Sequence, residues 1–173
     1  MPGFNIGGGN GPSNVVETRR KHRWFFSTLS PLQRNVLILL QKTQRPSFKL
    51  DEQAVHHDQE EAWFAGKQHW EPITMSFYDQ EQTVDTSKAI WDWLNKVSDI
   101  KNATVALPNK YKDNDGKLEM RSGKGVATET WELKGPWPKE VNWNELDYEA
   151  SDIMRIDVTM RYDRAIYKPG AKK

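Results

Sequence analysis

Alternating apolar and polar positions dominate the second half of the chain and predict β-strands. The clearest alternation covers residues 153–162, where the apolar positions are Ile156, Val158, Met160 and Tyr162. A period of two places such side chains on one face of a strand. Residues 117–121 and 126–134 alternate on either side of a glycine-containing turn, which predicts a hairpin. Further strands are predicted at residues 19–29, 47–55 and 70–79.

One segment repeats its apolar positions every three to four residues and predicts an amphipathic helix. Its apolar stripe consists of Ile90, Trp93, Leu94 and Val97. Asp85 before the stripe and Lys96 at its end suit the two ends of the helix dipole. We expect the stripe to face the core. One helix among antiparallel strands predicts an α+β, mainly β domain, built as an antiparallel β-sandwich or barrel with one flanking α-helix.

Residues 36–40 form an apolar run that is too short for periodicity to distinguish a buried strand from a helix. Ser30 and Pro31 offer an N-cap and a first helical position, which favours a short helix nearby. The continuous run of branched apolar residues favours a buried strand instead. We interpret residues 36–40 as a strand.

Residues 56–68 are predicted to form a long polar loop that contains the adjacent Trp63 and Phe64. Large apolar side chains in a polar loop often mark a contact site. Trp63 and Phe64 are therefore candidates for contact between subunits. The His-His-Asp run at 56–58 is not predicted to bind a metal, because adjacent residues of an extended chain point in opposite directions.

Basic residues precede the first predicted strand, at Arg19, Arg20, Lys21 and Arg23. Such a cluster is compatible with a nucleic-acid patch. We favour the interpretation that these basic residues mark an exposed strand edge and that their charge keeps this edge soluble. Arg19, Arg20 and Arg23 are also candidates for contact between subunits.

The composition predicts one domain and no strong attraction to polyanions. The 173 residues carry a net charge of +1, so overall charge does not draw the chain to nucleic acid or to an anionic membrane. Residues 1–14 hold five of the eleven glycines and predict a flexible arm. Residues 15–167 are predicted as the single domain, and residues 168–173 as a basic tail. No apolar run approaches the roughly 20 residues that span a bilayer.

Motifs for catalysis and cofactor binding are missing from the sequence. The chain has no cysteine, which excludes disulfides and thiolate metal sites. No nucleotide-binding glycine loop opens a helix, and no HExxH motif occurs. We therefore predict no enzyme, no cofactor and no metal. Eight tryptophans fit either a Trp-rich core or half-buried contact surfaces.

The C-terminal part of the chain resembles the signature of tail tube proteins of contractile-tailed bacteriophages. In that family a strand ends in Lys-Gly-apolar-Trp-Pro, an acidic stretch ends in Leu-Asp-aromatic, and the last strand contains Phe-x-Val-Thr. The matching positions are Lys134, Gly135, Trp137, Pro138, Leu146, Asp147, Val158 and Thr159. Pro136 replaces a more usual aliphatic residue. A weaker likeness extends over residues 66–163.

The resemblance implies a structural subunit whose strands join a hexameric lumen barrel. It implies stacked hexameric rings that conduct DNA during ejection, with the DNA passing through without specific binding. The implied partners are further copies of the chain and the tail sheath, baseplate hub or initiator, tape measure and tail terminator proteins. The implied location is the virion, after assembly in the host cytoplasm.

Two other functions remain open at this point. A baseplate tube initiator shares the tail tube signature. A carbohydrate-binding β-sandwich, which uses exposed tryptophans, is the alternative from a different class of protein.

Overall fold

The computed structural model describes residues 19–57, 60–81, 84–112, 114–149 and 151–170. These residues form three helices, α1 (Arg34–Ile38), α2 (Thr86–Val97) and α3 (Pro108–Tyr111). They also form twelve strands: β1 (Trp24–Leu29), β2 (Leu40–Lys42), β3 (Phe48–His57), β4 (Glu60–Trp70), β5 (Ile73–Tyr78), β6 (Ser98–Asp99), β7 (Thr104–Val105), β8 (Asp115–Arg121), β9 (Ala127–Lys134), β10 (Trp137–Asn142), β11 (Arg155–Arg161) and β12 (Arg164–Pro169). The predicted arm at residues 1–14 lies outside the described residues.

Two antiparallel four-stranded sheets form the body of the domain. The first sheet has the order β1-β8-β9-β12, and the second has the order β10-β11-β5-β2. Apolar residues of both sheets are buried in one cluster, including Leu118 and Leu133 of the first sheet and Phe77 and Val158 of the second. The prediction of a mainly β antiparallel sandwich is therefore confirmed. The described strands form no closed barrel.

The predicted central hairpin and the predicted long strand are both present. β8 pairs with β9 across the glycine-containing turn, and β11 lies in the middle of the second sheet. The chain then continues into β12, which the sequence did not indicate. β12 is an edge strand whose only buried side chain is Ala165, so it shows little of the alternation that a half-buried strand produces.

The interpretation of residues 36–40 as a strand is wrong. Residues 34–38 form α1, and only the short β2 follows, from Leu40 to Lys42. Val36 and Leu37 are buried next to each other, whereas Ile38 is exposed. Adjacent buried residues followed by an exposed one fit a helical turn that covers the core. The helix begins at Arg34, so Ser30 and Pro31 precede it rather than cap it.

The predicted loop at residues 56–68 is also wrong. β3 and β4 pair along most of their length in an antiparallel hairpin. Almost all of their side chains are exposed. Because the described residues bury no face of this hairpin, its residues lack the period of two that marks a half-buried strand.

The predicted long helix corresponds to α2. Asp85 caps it, because its carboxylate accepts a hydrogen bond from the Lys88 backbone N–H at 2.8 Å. Ile90, Trp93 and Val97 are buried, and Leu94 is partly buried. The helix packs beside β10. The sequence predicted one helix, and the short α1 and α3 were not foreseen.

Candidate assembly surfaces

The paired strands β3 and β4 form a surface that we call the hairpin arm. Every residue from 60 to 69 is exposed, and no third strand of the described residues pairs with the two. An isolated two-stranded hairpin is only marginally stable in water. The hairpin arm therefore lacks the covering that such an element normally has.

Trp63 and Phe64 lie on opposite faces of the hairpin arm, because successive side chains of a strand alternate in direction. Their exposed fractions are 61% and 58%. Trp63 stands opposite Ala54, and Phe64 stands opposite Gln53. Each face thus presents one large aromatic side chain beside a smaller one, and each can pack against a neighbouring molecule.

The root of the hairpin arm is fixed to the sandwich by aromatic rings. The Trp70 ring lies 5.2 Å from that of Phe48 and 5.9 Å from that of Tyr162, measured between centroids. Tyr162 belongs to the core, and burial raises its pKa to about 12. Lys49 also pairs with Glu71 at 3.0 Å. These contacts set the direction in which the arm leaves the domain.

A basic cleft lies at one end of the sandwich, with a volume of about 510 Å³. Seven cationic side chains line it: Arg19, Arg20, Lys21, Arg23, Lys42, Arg45 and Arg121. None of the described residues that line it is acidic. The partly buried Trp24 and Met120 form an apolar part of its wall.

A buried carboxylate holds two sides of the basic cleft together. Glu129 is 1% exposed and pairs with Arg19, which precedes β1. It also pairs with Arg45, at 3.4 Å, and accepts a hydrogen bond from the Trp131 indole at 2.6 Å. A buried charge needs such partners. Glu129 therefore connects the start of β1 to the segment that leads into the hairpin arm.

The basic cleft combines residues from three separate segments of the chain. The sequence predicted contact residues only among its first segment, at Arg19, Arg20 and Arg23. Lys42, Arg45 and Arg121 join them through the pairing of β1 with β8 and through the path of the chain after β2. No local pattern marked these three residues.

Residues 144–149 are part of the connection between β10 and β11, and we call them the acidic segment. Its carboxylates are Glu145, Asp147 and Glu149, and Leu146 and Tyr148 alternate with them. Both apolar side chains are strongly exposed. The Asp147 carboxylate accepts a hydrogen bond from the Glu149 backbone N–H at 2.9 Å.

The signature residues 134–138 form the corner at which the chain passes from the first sheet to the second. Gly135 has a φ of +63°, and an added Cβ would lie 3.0 Å from an Asp163 carboxylate oxygen. Lys134 pairs with Asp115 at 2.8 Å, and the Trp137 ring packs 5.9 Å from that of Tyr111. Glycine relieves both the backbone strain and the crowding at this corner.

The other signature positions serve different parts of the fold. Pro138 is buried beside the corner, and Val158 is fully buried in the core. Thr159 is the partly exposed neighbour of Val158 on the opposite face of β11. Leu146 and Asp147 belong to the acidic segment.

The outward faces of both sheets are polar. On the first sheet Lys168 pairs with Glu132 at 2.6 Å. On the second, the Ser76 hydroxyl donates a hydrogen bond to Asp157. These faces suit contact with water. Within the described ranges, no three His, Asp or Glu side chains could hold a metal ion, and no helix is long and apolar enough to cross a membrane.

Comparison with solved structures defines the class of this fold. A chain of the anti-feeding prophage tube terminating cap is 15% identical and superposes with a TM-score of 0.71, over 92% of this chain and 96% of that chain. A chain of the sheath/tube terminator of the PVC extracellular contractile injection system is also 15% identical, with a TM-score of 0.69, over 89% of this chain and 99% of that chain. The chain therefore has the fold of proteins found in contractile injection systems.

Sequence comparison shows a similarity to a protein of a bacteriophage. No protein-family profile matches the chain. The tail tube protein of Serratia phage KSP90 is 27% identical over 157 residues, covering 86% of this chain and 88% of that protein. The resemblance to phage tail tube proteins is thus confirmed. The relatives are structural tube proteins of phage tails and contractile injection systems, not enzymes.

Proposed function

We propose that this chain is the tail tube subunit of a contractile-tailed bacteriophage. In this proposal it forms hexameric rings that stack into a conduit for DNA during ejection. The observation that carries the proposal is the hairpin arm, which exposes Trp63 on one face and Phe64 on the other. An arm with an aromatic contact on both faces is suited to a position between two neighbouring subunits.

The edges of the two sheets support the same proposal. β1 and β12 are the edges of the first sheet, and β10 and β2 are those of the second. Unpaired edges tend to recruit further strands, and closing them across subunits into a barrel removes them. A polar outward face is what a wall beside a water-filled lumen requires.

The proposal assigns the tube domain to residues 15–167, with residues 1–14 as a flexible arm and a basic tail from residue 168. β12 extends the domain by two residues, to Pro169. The proposed partners are further copies of the chain, the tail sheath, the baseplate hub or initiator, the tape measure and the tail terminator. The proposed location is the tail tube of the virion, after assembly in the host cytoplasm.

Electron microscopy of the purified protein tests this function directly. Hexameric rings or stacked tubes in negative stain are the expected result. A baseplate tube initiator would stop at single rings, and a carbohydrate-binding module would stay monomeric and bind glycans. A protein that remains monomeric at all concentrations and salt conditions would contradict the tube function.

Variants of the hairpin arm test the observation behind the proposal. Trp63→Ala and Phe64→Ala, separately and together, should leave the thermal melting of the subunit unchanged, because both side chains are exposed. The double variant should lose rings and tubes in sedimentation and microscopy. Val105→Ala is the matched control, since Val105 is 73% exposed on β7 and lies away from the arm in sequence. Normal assembly of the double variant would show that the arm makes no essential contact.

A further inference from the structure

The basic cleft extends beside β5 as far as its start, since Lys42 of the cleft pairs with Ser76, and the acidic segment lies beyond the end of β5. Gln44, which lines the basic cleft, donates a side-chain hydrogen bond to the Pro72 carbonyl, just before β5, at 3.0 Å. At the other end, the Asp79 backbone N–H donates to the Met154 carbonyl at 3.0 Å, which places the connection from β10 to β11 just after β5. The six residues of β5 place the Gln44 contact about 20 Å from this connection, and Lys42 lies closer to it, opposite Ser76.

We infer that the basic cleft of one copy receives the acidic segment of the next copy along the tube axis. This inference rests on the proposed tube function, and it names the contact that joins one ring to the next. The occupant of the cleft is therefore a second copy of this chain.

Charge complementarity is the first argument for this contact. Among the described residues, seven cations and no acid line the basic cleft, whereas the acidic segment carries three carboxylates in six residues. Glu129 already pairs with Arg19 and Arg45. Among the described residues, no carboxylate lies within ion-pair distance of Arg20, Lys21 or Lys42. These three cations are available to the carboxylates of a neighbour.

The apolar side chains match as well. Leu146 and Tyr148 alternate with the carboxylates of the acidic segment and are strongly exposed. Trp24 and Met120 give the basic cleft an apolar wall between its cations. A segment that presents acids and apolar groups in alternation can pair its charges with the rim while it packs Leu146 or Tyr148 against this wall. The combination explains why a soluble subunit exposes these two side chains.

The geometry of the contact predicts growth without limit in one direction. The two surfaces differ and are formed by separate residues of the chain, so a contact in which each copy uses its cleft for one neighbour and its acidic segment for another is heterologous rather than two-fold symmetric. A heterologous contact that does not close on itself produces an open filament. Rings joined in this way stack head to tail, and each ring repeats the contact around its circumference.

Charge reversal tests the contact, because the basic cleft and the acidic segment can each be reversed in a separate variant. The first variant combines Arg20→Glu with Lys21→Glu, and the second combines Glu145→Lys with Glu149→Lys. Each variant alone should form rings but need at least about a tenfold higher concentration to form tubes, because a ring repeats the contact and amplifies a small loss. An equimolar mixture of the two kinds of ring should form tubes again, since the reversed cleft of the first variant is complementary to the reversed segment of the second, and their two unaltered surfaces are complementary to each other. Lys110→Glu, an exposed reversal on α3, is the control and should behave as the wild type.

Disulfide cross-linking tests the contact independently of tube formation. The chain contains no cysteine, so introduced thiols report only their own positions. After oxidation, a mixture of Lys21→Cys and Glu149→Cys proteins should give covalent dimers, and the double variant should give a ladder of longer species. The ladder distinguishes a head-to-tail contact from a two-fold symmetric one, which would stop at dimers.

The outcomes separate the contact from the proposed function. Reversed variants that form tubes like the wild type, or a cysteine mixture without heterodimers, would overturn the inference and leave the tube function standing. Wild-type protein that forms no rings would contradict the tube function, and the cysteine mixture would still decide whether the contact exists. Binding of a short DNA duplex that is lost on Arg20→Glu/Lys21→Glu, without any change in stacking, would assign the basic cleft to nucleic acid and overturn the inference.

Discussion

Replacement of Trp93 by alanine should remove a large part of the stability of the subunit. Trp93 is 1% exposed in the core, at the face of α2 that packs on the sandwich. Its indole N–H has no hydrogen-bond partner among the described residues, so the loss comes from packing. Truncation of a buried Trp to Ala costs about 3–5 kcal/mol. For a domain of this size, that loss lowers the melting temperature by about 6–20 °C.

Circular dichroism during heating and during urea titration measures this effect. The protein concentration must lie below that of assembly, because association stabilises the folded state by mass action. Trp91→Ala is the matched control in the same helix, since Trp91 is 40% exposed and should cost only about 1 kcal/mol. A Trp93→Ala variant that loses no more stability than Trp91→Ala would refute the packing of α2 described here.

Three further predictions concern the helix cap, the buried tyrosine and the lumen. Asp85→Ala should cost about 1 kcal/mol, because it removes the hydrogen bond to the Lys88 N–H, and urea titration against Asp85→Asn measures the loss. The pKa of Tyr162, raised to about 12 by burial, lies above its unfolded value of about 10. The unfolded state therefore ionises first, and stability present below pH 10 should be lost as the pH rises towards 12, less so in Tyr162→Phe, as followed by melting temperature. We predict that the lumen wall is neutral to acidic and that the basic residues 19–23 lie away from it. Assembled tubes should therefore not retain duplex DNA in a mobility-shift assay at physiological salt. Retention of DNA with a steep salt dependence would contradict this prediction.

Elements that bury one face within the subunit were predictable from the sequence. β11 alternates between buried and partly exposed residues, and this alternation is visible in the sequence because each buried position is apolar. α2 buries one stripe and shows its period for the same reason. The pattern thus records burial within the chain rather than the backbone conformation itself.

Elements that do not show a clear pattern of one buried and one exposed face were not predictable from the sequence. The hairpin arm buries neither face, so its strands have the composition of a loop. α1 is five residues long, which is too short for a helical period to differ from a buried strand. The basic cleft has no local signal, because its cations come from residues 19–23, 42–45 and 121, which only the folded chain brings together.

The residues that fold this chain and those that we propose assemble it are largely different. The core contains none of Trp63, Phe64, Leu146 and Tyr148, although all four are large apolar side chains. Their exposure gives the free subunit no stability, because burial is the source of apolar stabilisation. Changes at these positions should therefore alter assembly without altering melting, whereas changes at Trp93 should do the reverse at concentrations below assembly. This separation lets a subunit fold first and associate afterwards, so that growth of a tube depends on the concentration of folded subunits rather than on coupled folding at its end.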